Sequence, residues 1–263
     1  MSLTVIILLV VSGVAVGFIN TLSAGGTAIS IALYLALGLD ANTANATNRI
    51  GVLIQSSLST GMFAQKGYLN NTKVFLLAVP TVIGAAAGAI LSLLLPTPVF
   101  SYFLGVSLLI MLVFLFASPS SFDKDDEKKT EKGIGFLHHI VFFLIGIYGG
   151  FIQVGTGFFL MAAGSMLLGY NIVKTNAVKT CIMALYTMVA IIVFVSGENI
   201  HWQYGLLHSA GTLVGSFLAA RFAFKKGAKL VRWFVIIVIV FTTLYLFKIL
   251  DLNLFFQTLI HKN

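Results

Sequence analysis

Three short motifs occur twice in this chain of 263 residues, in the same order and at nearly constant spacing. The pairs are Gly17–Asn20 with Gly150–Gln153, Asn45–Arg49 with Asn176–Thr180, and Gly84–Gly88 with Gly211–Gly215. Their offsets are 133, 131 and 127 residues, so two short gaps account for the drift. Because the three matches stay in register, the pattern predicts an internal duplication.

The composition places both copies in a membrane. Hydrophobic residues make up 59% of the chain and charged residues 9%, against about 25% charged in an ordinary globular protein. Five of the eight acidic residues lie within residues 123–131. The single cysteine, Cys181, excludes an internal disulfide and a cysteine-rich metal site. In a membrane protein, duplication is the usual ground plan of secondary transporters.

Ten apolar segments are candidates for membrane spans, five in each copy. They are 3–20, 23–39, 46–64, 73–95, 99–117, 136–153, 156–170, 178–196, 203–222 and 231–249. The second and the seventh are short, with glycine near their starts, and are interpreted as half-helices or arms of re-entrant hairpins. We predict a first membrane repeat at 1–117, a polar cytoplasmic linker at 118–135 and a second membrane repeat at 136–263.

Basic residues favour one orientation, since they are enriched in cytoplasmic loops. With the N-terminus outside, thirteen of the sixteen lysines and arginines fall in cytoplasmic connections, which also explains the net charge of +8 without a nucleic-acid partner. An odd number of segments per repeat makes the two halves insert in opposite senses. The sequence therefore predicts an all-α polytopic protein of two inverted-topology repeats, in a cell membrane of the bacterial inner-membrane type, with both termini outside.

Glycines, hydroxyls and amides interrupt the chain after segments 1 and 6. The candidate binding residues there are Asn20, Thr21, Ser23, Gly25, Gly26 and Thr27 in the first repeat, and Gln153, Gly155, Thr156 and Gly157 in the second. Irregular backbone survives in a membrane only where protein or a water-filled cavity satisfies it. A helix that restarts at Thr27 or Phe158 would offer free N–H groups and a positive dipole end to an anion. Close packing of small residues is the alternative interpretation.

A second set of candidates opens the third segment of each repeat. It comprises Asn45, Asn48 and Arg49, with Asn176 and Lys179. Helix capping alone would explain the two asparagines Asn45 and Asn176. Arg49 lies inside an apolar segment, where it would snorkel outward, pair with Asp40 or attract an anion from a cavity.

Acidic residues are missing from the spans, although proton-driven carriers often use one as a relay. His208, within segment 9, titrates in the useful range but would also suit a membrane interface. Cations, amides and helix ends without a carboxylate favour an anionic substrate over a cationic one.

The chain resembles the sulfite exporter TauE/SafE family of membrane proteins. The resemblance rests on Gly13–Thr27, on Ala44–Asn48 after Leu37 and Gly38, and on the glycine-rich stretch Gly149–Gly157. It covers essentially the whole chain. It implies export or uptake of small sulfur-containing anions such as sulfite, sulfoacetate or other organosulfonates.

We therefore expect a secondary transporter of small anions, sulfur-containing by the resemblance, that alternates access between two repeats. A passive anion channel on the same scaffold is the alternative. A membrane-embedded enzyme is disfavoured, because the sequence shows no metal-ligand set and no nucleophile–base pair. We expect no cofactor and no metal. The expected partners are the anion and membrane lipid, with no nucleic acid, and a homo-oligomer is left open.

Overall fold

The computed structural model describes residues 1–22, 25–69, 71–117 and 133–222, together with 236, 237, 239, 240 and 242–247. The described residues up to Phe222 form nine α-helices and one π-helical turn, and no described residue is in a β-strand. The helices are α1 Leu3–Leu22, α2 Gly26–Ala36, α3 Ala41–Gln65, α4 Asn71–Leu94, α5 Thr97–Ala117, α6 Phe136–Phe151, α7 Thr156–Ala162, α8 Ile172–Ser196 and α9 Trp202–Phe222, with the π turn Ala163–Leu167 after α7.

The all-helical membrane fold expected from the sequence is confirmed. In the described part of the chain, three helices are long and apolar enough to cross a membrane, within Leu3–Thr21, Lys73–Leu94 and Ile172–Ser196. The first nine predicted segments each correspond to a helix, and the short second and seventh become the two shortest. The tenth, 231–249, lies largely outside the described residues.

The helices α3 and α8 begin earlier than expected. The carboxylate of Asp40 accepts hydrogen bonds from the backbone N–H groups of Asn42 and Thr43 and caps α3. The side chain of Asn171 caps α8 in the same way, through the N–H of Lys174. Asn45 and Asn176 are therefore inside their helices, and the interpretation of these two residues as N-caps is wrong. Arg49 lies in the third turn of α3 and not in its first.

Two pairs of helices pack with their backbones in close approach, α1 on α9 and α4 on α6. A methyl group added at Gly17 of α1 would overlap the carbonyl of Thr212 in α9, and one at Gly215 would overlap the carbonyl of Val14. The same holds at Gly88 and Gly150 between α4 and α6. The glycines of the third repeated motif therefore allow these helices to cross at close range.

The helices α3 and α8 pack against each other in the interior. The side of α3 that faces inward is polar for most of its length. The buried polar residues of α3 are Asn42, Asn45, Thr47, Asn48, Arg49, Gln55, Ser56 and Ser59. A helix of this composition would be poorly placed against lipid, so its burial among the other helices is what keeps it in the membrane fold.

Candidate functional site

The chain is broken at two interior positions, between α1 and α2 and between α6 and α7. We call these breaks junction 1 (residues 20–26) and junction 2 (residues 152–156). Each new helix follows a glycine in the left-handed region, Gly25 with φ of 109° and Gly155 with φ of 79°. Side chains other than glycine are strained there. The restart expected at Thr27 or Phe158 is observed at Gly26 and Thr156.

Side chains of α3 complete the end of α6 at junction 2. The last carbonyls of a helix have no partner within it. Arg49 donates from Nη1 to the Gly149 carbonyl at 3.0 Å and from Nη2 to the Gly150 carbonyl at 2.6 Å. Asn45 donates from Nδ2 to the Phe151 carbonyl at 3.0 Å. Three successive carbonyls are thereby satisfied, and a cation is placed at the negative end of the α6 dipole.

The guanidinium of Arg49 is enclosed on its other side by α8. Its carbon atom lies 4.6 Å from the centre of the Phe194 ring, and the side chain is 0% exposed. Asp40 is occupied in capping α3. Two of the alternatives for Arg49, snorkelling to the surface and pairing with Asp40, are therefore wrong. A role in attracting an anion stays a prediction.

Junction 1 has a cation in the corresponding place. Lys179 of α8 is 2% exposed, and its Nζ donates to the Asn20 carbonyl at 3.1 Å, close to the end of α1. The Asn20 side chain accepts from the first N–H of α2, at Gly26, at 2.8 Å. The hydroxyls of Thr21 and Ser59 lie 3.3 Å apart, which ties the junction to α3. Gly25, Gly26 and Thr27 are buried there, whereas Ser23 lies outside the described residues.

Gln153 occupies the centre of junction 2. Its N–H donates to Asn45 Oδ1 at 3.3 Å, and its Nε2 donates to Thr187 Oγ1 at 3.2 Å and to the Tyr186 hydroxyl at 3.5 Å. Thr156 turns its hydroxyl back onto the Gln153 carbonyl at 3.1 Å. Gly155 and Gly157 are buried beside it, and Asn176 is half-buried at the start of α8.

The two junctions contact α3 at different levels. Junction 2 contacts Asn45 and junction 1 contacts Ser59, about four turns or about 21 Å apart along the helix. The structure thus brings Asn45 to Gln153 and Lys179 to Asn20, but it does not bring the two junctions to one point. Asn48 and Gln55 lie on α3 between the two levels.

Several buried amides at these levels are incompletely bonded. Neither amide atom of Asn48, which is 1% exposed, has a partner within the described part of the chain. Asn20 Nδ2, Gln55 Oε1 and Gln153 Oε1 are likewise unpartnered among the described residues. A buried polar atom left unpaired costs about 1–3 kcal/mol, so these atoms are candidate contacts for a ligand.

Sequence reasoning missed Gln55, Ser59, Tyr186 and Thr187. Two signals could have found them. Tyr186 and Thr187 follow Gln55 and Ser56 by 131 residues, the offset of the asparagine motifs. Gln55 and Ser59 also follow Asn48 at the spacing of one helix face.

Among the described residues, some basic side chains are buried and the acidic ones are not. Both acidic side chains that the structure describes, Asp40 and Glu198, are exposed, whereas Arg49 and Lys179 are buried. In the described ranges, no three His, Cys, Asp or Glu side chains form a group that could hold a metal ion.

Residues 9–246 match the sequence profile of the family described as "Sulfite exporter TauE/SafE". The chain belongs to this family. It is 28% identical to a probable membrane transporter protein, ORF9, of Sinorhizobium over 230 residues, which cover 88% of this chain and 87% of that protein. It is 25% identical to a probable membrane transporter protein of Haemophilus influenzae, over 86% of this chain and 88% of that one. No solved structure matches the chain.

A further relative is the probable membrane transporter protein YfcA of Escherichia coli K12, 25% identical over 84% of this chain and 82% of that protein. The family match and these names confirm the resemblance to the TauE/SafE family that the sequence motifs indicated. The TauE/SafE chain described here is a membrane transporter, and the channel and the enzyme are not favoured.

Proposed function

We propose that this TauE/SafE transporter is a secondary carrier of small anions, which it moves by alternating access between two inverted repeats. One observation supports the proposal above the others. Two cations, Arg49 and Lys179, are buried in the interior, and both described carboxylates are outside it.

A buried cation is costly unless opposite charge or hydrogen bonds compensate it. The carbonyl ends of α6 and α1 supply about half of a negative charge each. The full positive charge of Arg49 therefore exceeds the negative charge that the end of α6 supplies. An anion bound near Arg49 would be attracted by this excess, and a cation would be repelled.

The unpartnered amides indicate where the anion would bind. Asn48 has both amide atoms free among the described residues and immediately precedes Arg49 on α3. Asn20 Nδ2, beside the carbonyl that Lys179 contacts, has no partner among the described residues. Oxygen atoms of an anion would accept from these N–H groups. We place the site on α3 between the two junctions, at Asn48 and Gln55.

The repeat arrangement is supported by reciprocal contacts. The α1 helix packs on α9, and α6 packs on α4. Arg49 of the first half contacts the end of α6, and Lys179 of the second half contacts the end of α1. We propose repeats at 1–117 and 136–263, joined by a cytoplasmic linker at 118–135. With both termini outside a cell membrane, junction 2 and Arg49 would be nearer the outer face and junction 1 and Lys179 nearer the inner face.

Sulfite, sulfoacetate and other organosulfonates are the proposed substrates, supported by the description of the family. The site chemistry is compatible with this class, since sulfonate oxygens accept hydrogen bonds and carry negative charge. Movement of the repeats about α3 and α8 would expose the site to one side and then to the other.

The test is ligand-induced thermal stabilisation of the purified protein with sulfite, sulfoacetate, taurine, thiosulfate, acetate and phosphate. We expect a sulfonate or sulfite to raise the unfolding midpoint. Asn48→Ala should leave the ligand-free midpoint unchanged or higher, because it removes unpaired buried groups, but should weaken binding about tenfold or more.

Ser56→Ala is the matched control, because the Ser56 hydroxyl bonds to carbonyls of its own helix. It should leave the affinity unchanged. Unchanged affinity in Asn48→Ala would remove Asn48 from the site. Saturable counterflow of labelled sulfoacetate in proteoliposomes tests the carrier, and its absence for every anion of the panel would contradict the proposed function.

A further inference from the structure

The His208 side chain is in the interior and is not used by the site described above. It lies in the second turn of α9 and is 0% exposed. Its Nε2 lies 3.3 Å from the Ser30 hydroxyl of α2, and its ring lies 5.5 Å from that of Tyr34. The sequence left open that His208 lies at a membrane interface. The structure instead buries the side chain among helices.

The other ring nitrogen of His208 lies against helix α3. Its Nδ1 faces the backbone of Gly51 in α3, where an added methyl group would lie 3.2 Å away, and it has no hydrogen bond to any described residue. The Tyr34 hydroxyl, on a side chain that is 0% exposed, is also unpartnered among the described atoms. A neutral imidazole that donates from Nε2 to Ser30 has a lone pair on Nδ1. That lone pair is open to a proton.

The described helices packed against His208 carry no carboxylate side chain. The described helices packed against it are α1, α2 and α3. Their charged or titratable side chains are Tyr34 on α2 and Arg49 on α3, and α1 has none. On α9 itself the others are Tyr204 and the exposed Arg221. An imidazolium here would add a third buried cation to Arg49 and Lys179.

We propose that His208 binds the proton that travels with the anion, so that the protein is a proton–anion symporter. This inference rests on the proposed function. An imidazolium with no carboxylate nearby is stabilised when the anion is present. By linkage, a proton on His208 must strengthen anion binding to the same degree. Ser30 lies about one turn into α2, which starts at junction 1, so the proton site and the junction share a rigid helix.

The first measurement is the affinity of the wild-type protein for sulfoacetate at about pH 6 and at about pH 8, where both acid groups of the ligand stay ionised. Coupling to one proton predicts binding that is about tenfold or more tighter at the lower pH. His208→Gln should abolish this dependence, and the control His139→Gln, outside the interior, should keep it.

The second measurement is transport in proteoliposomes. An inward proton gradient should drive sulfoacetate accumulation by the wild type. In His208→Gln, the accumulated sulfoacetate should fall about tenfold or more. Counterflow should be retained, because it needs no net proton movement. Wild-type counterflow that does not respond to the proton gradient would overturn the role of His208, but it would still support the proposed carrier function. Absence of wild-type counterflow would instead overturn the proposed function.

A pH-independent affinity in the wild type, or an unchanged pH dependence in His208→Gln, would also overturn the proposal. If His208→Gln does not fold, the Ser30→Ala variant tests the role of His208 instead. This variant keeps the imidazole but removes the Ser30 hydroxyl, which accepts a stronger hydrogen bond from the protonated ring than from the neutral one. The midpoint of the affinity profile should then move to lower pH, and a midpoint that stays in place would count against His208.

Discussion

At the scale of single residues, the buried cations have a structural task as well as a proposed functional one. Arg49 closes the end of α6, a helix that begins nearly ninety residues later in the chain. Its planar fork can donate to two neighbouring carbonyls at once, which the single ammonium of a lysine does less well. Loss of transport in an Arg49 variant would therefore not by itself identify a substrate contact. The Asn48 side chain is a sharper probe, because it makes no hydrogen bond to any described residue.

Arg49→Ala should lower the unfolding midpoint of the protein. It leaves the carbonyls of Gly149 and Gly150 buried without their donors, a loss of about 3 kcal/mol. For a chain of this size that corresponds to about 5–10 °C. Arg49→Lys should lose about half as much, because it keeps the charge. The exposed Lys66 provides the control as Lys66→Ala, and equal midpoints for Arg49→Ala and the control would show that the contact with α6 is not formed.

At the scale of helices, local features were predictable and long-range partners were not. The breaks after Asn20 and Gln153 and the close approach at the glycine pairs follow from local chemistry. The helix starts at Asp40 and Asn171 were missed, because several polar residues near each start could serve as caps and only the structure shows which one does.

The contact between Asn45 and Gln153 joins residues 108 positions apart. Nothing in the local pattern of either motif specifies this pairing. Hydrophobic periodicity is also weak evidence in a membrane protein, since both lipid and protein surfaces are apolar. The level at which each junction meets α3 therefore comes from packing alone.

Two glycines in long helices should respond oppositely to the same substitution. Gly88→Ala places a methyl group against the Ile147 carbonyl, which belongs to the backbone of α6 and cannot turn aside. Gly61 of α3 has open space where the methyl group would lie. Alanine improves helix propensity by about 1 kcal/mol over glycine, so Gly61→Ala should hold or raise the unfolding midpoint, while Gly88→Ala should lower it. Equal shifts for both variants would argue against the tight α4–α6 contact.

At the scale of the whole molecule, each half completes the other. The cation of each half lies at the broken helix of the opposite half, and the glycine pairs join α1 to α9 and α6 to α4. Neither half therefore buries its broken helix by itself. If the halves are inverted repeats, a movement that loosens one junction has a symmetric counterpart at the other, which is the basis of the proposed alternating access.

The inverted arrangement makes a direct prediction about the ends of α3 and α8. Lys66 follows α3 and Glu198 follows α8, and both are exposed. In inverted repeats these two ends lie on opposite sides of the membrane. In a Cys181→Ala background, Glu198→Cys should react with a membrane-impermeant maleimide added to intact cells, and Lys66→Cys should react only after permeabilisation.

The Cys181→Ala protein without a new cysteine should stay unlabelled in both conditions. The reverse pattern, with Lys66→Cys accessible from outside, would keep the inverted repeats but place both termini inside. Labelling of both cysteines from the same side would mean that α3 and α8 run in the same direction. This result would contradict the contacts that place junction 2 and junction 1 at different levels of α3, and it would exclude alternating access between inverted repeats.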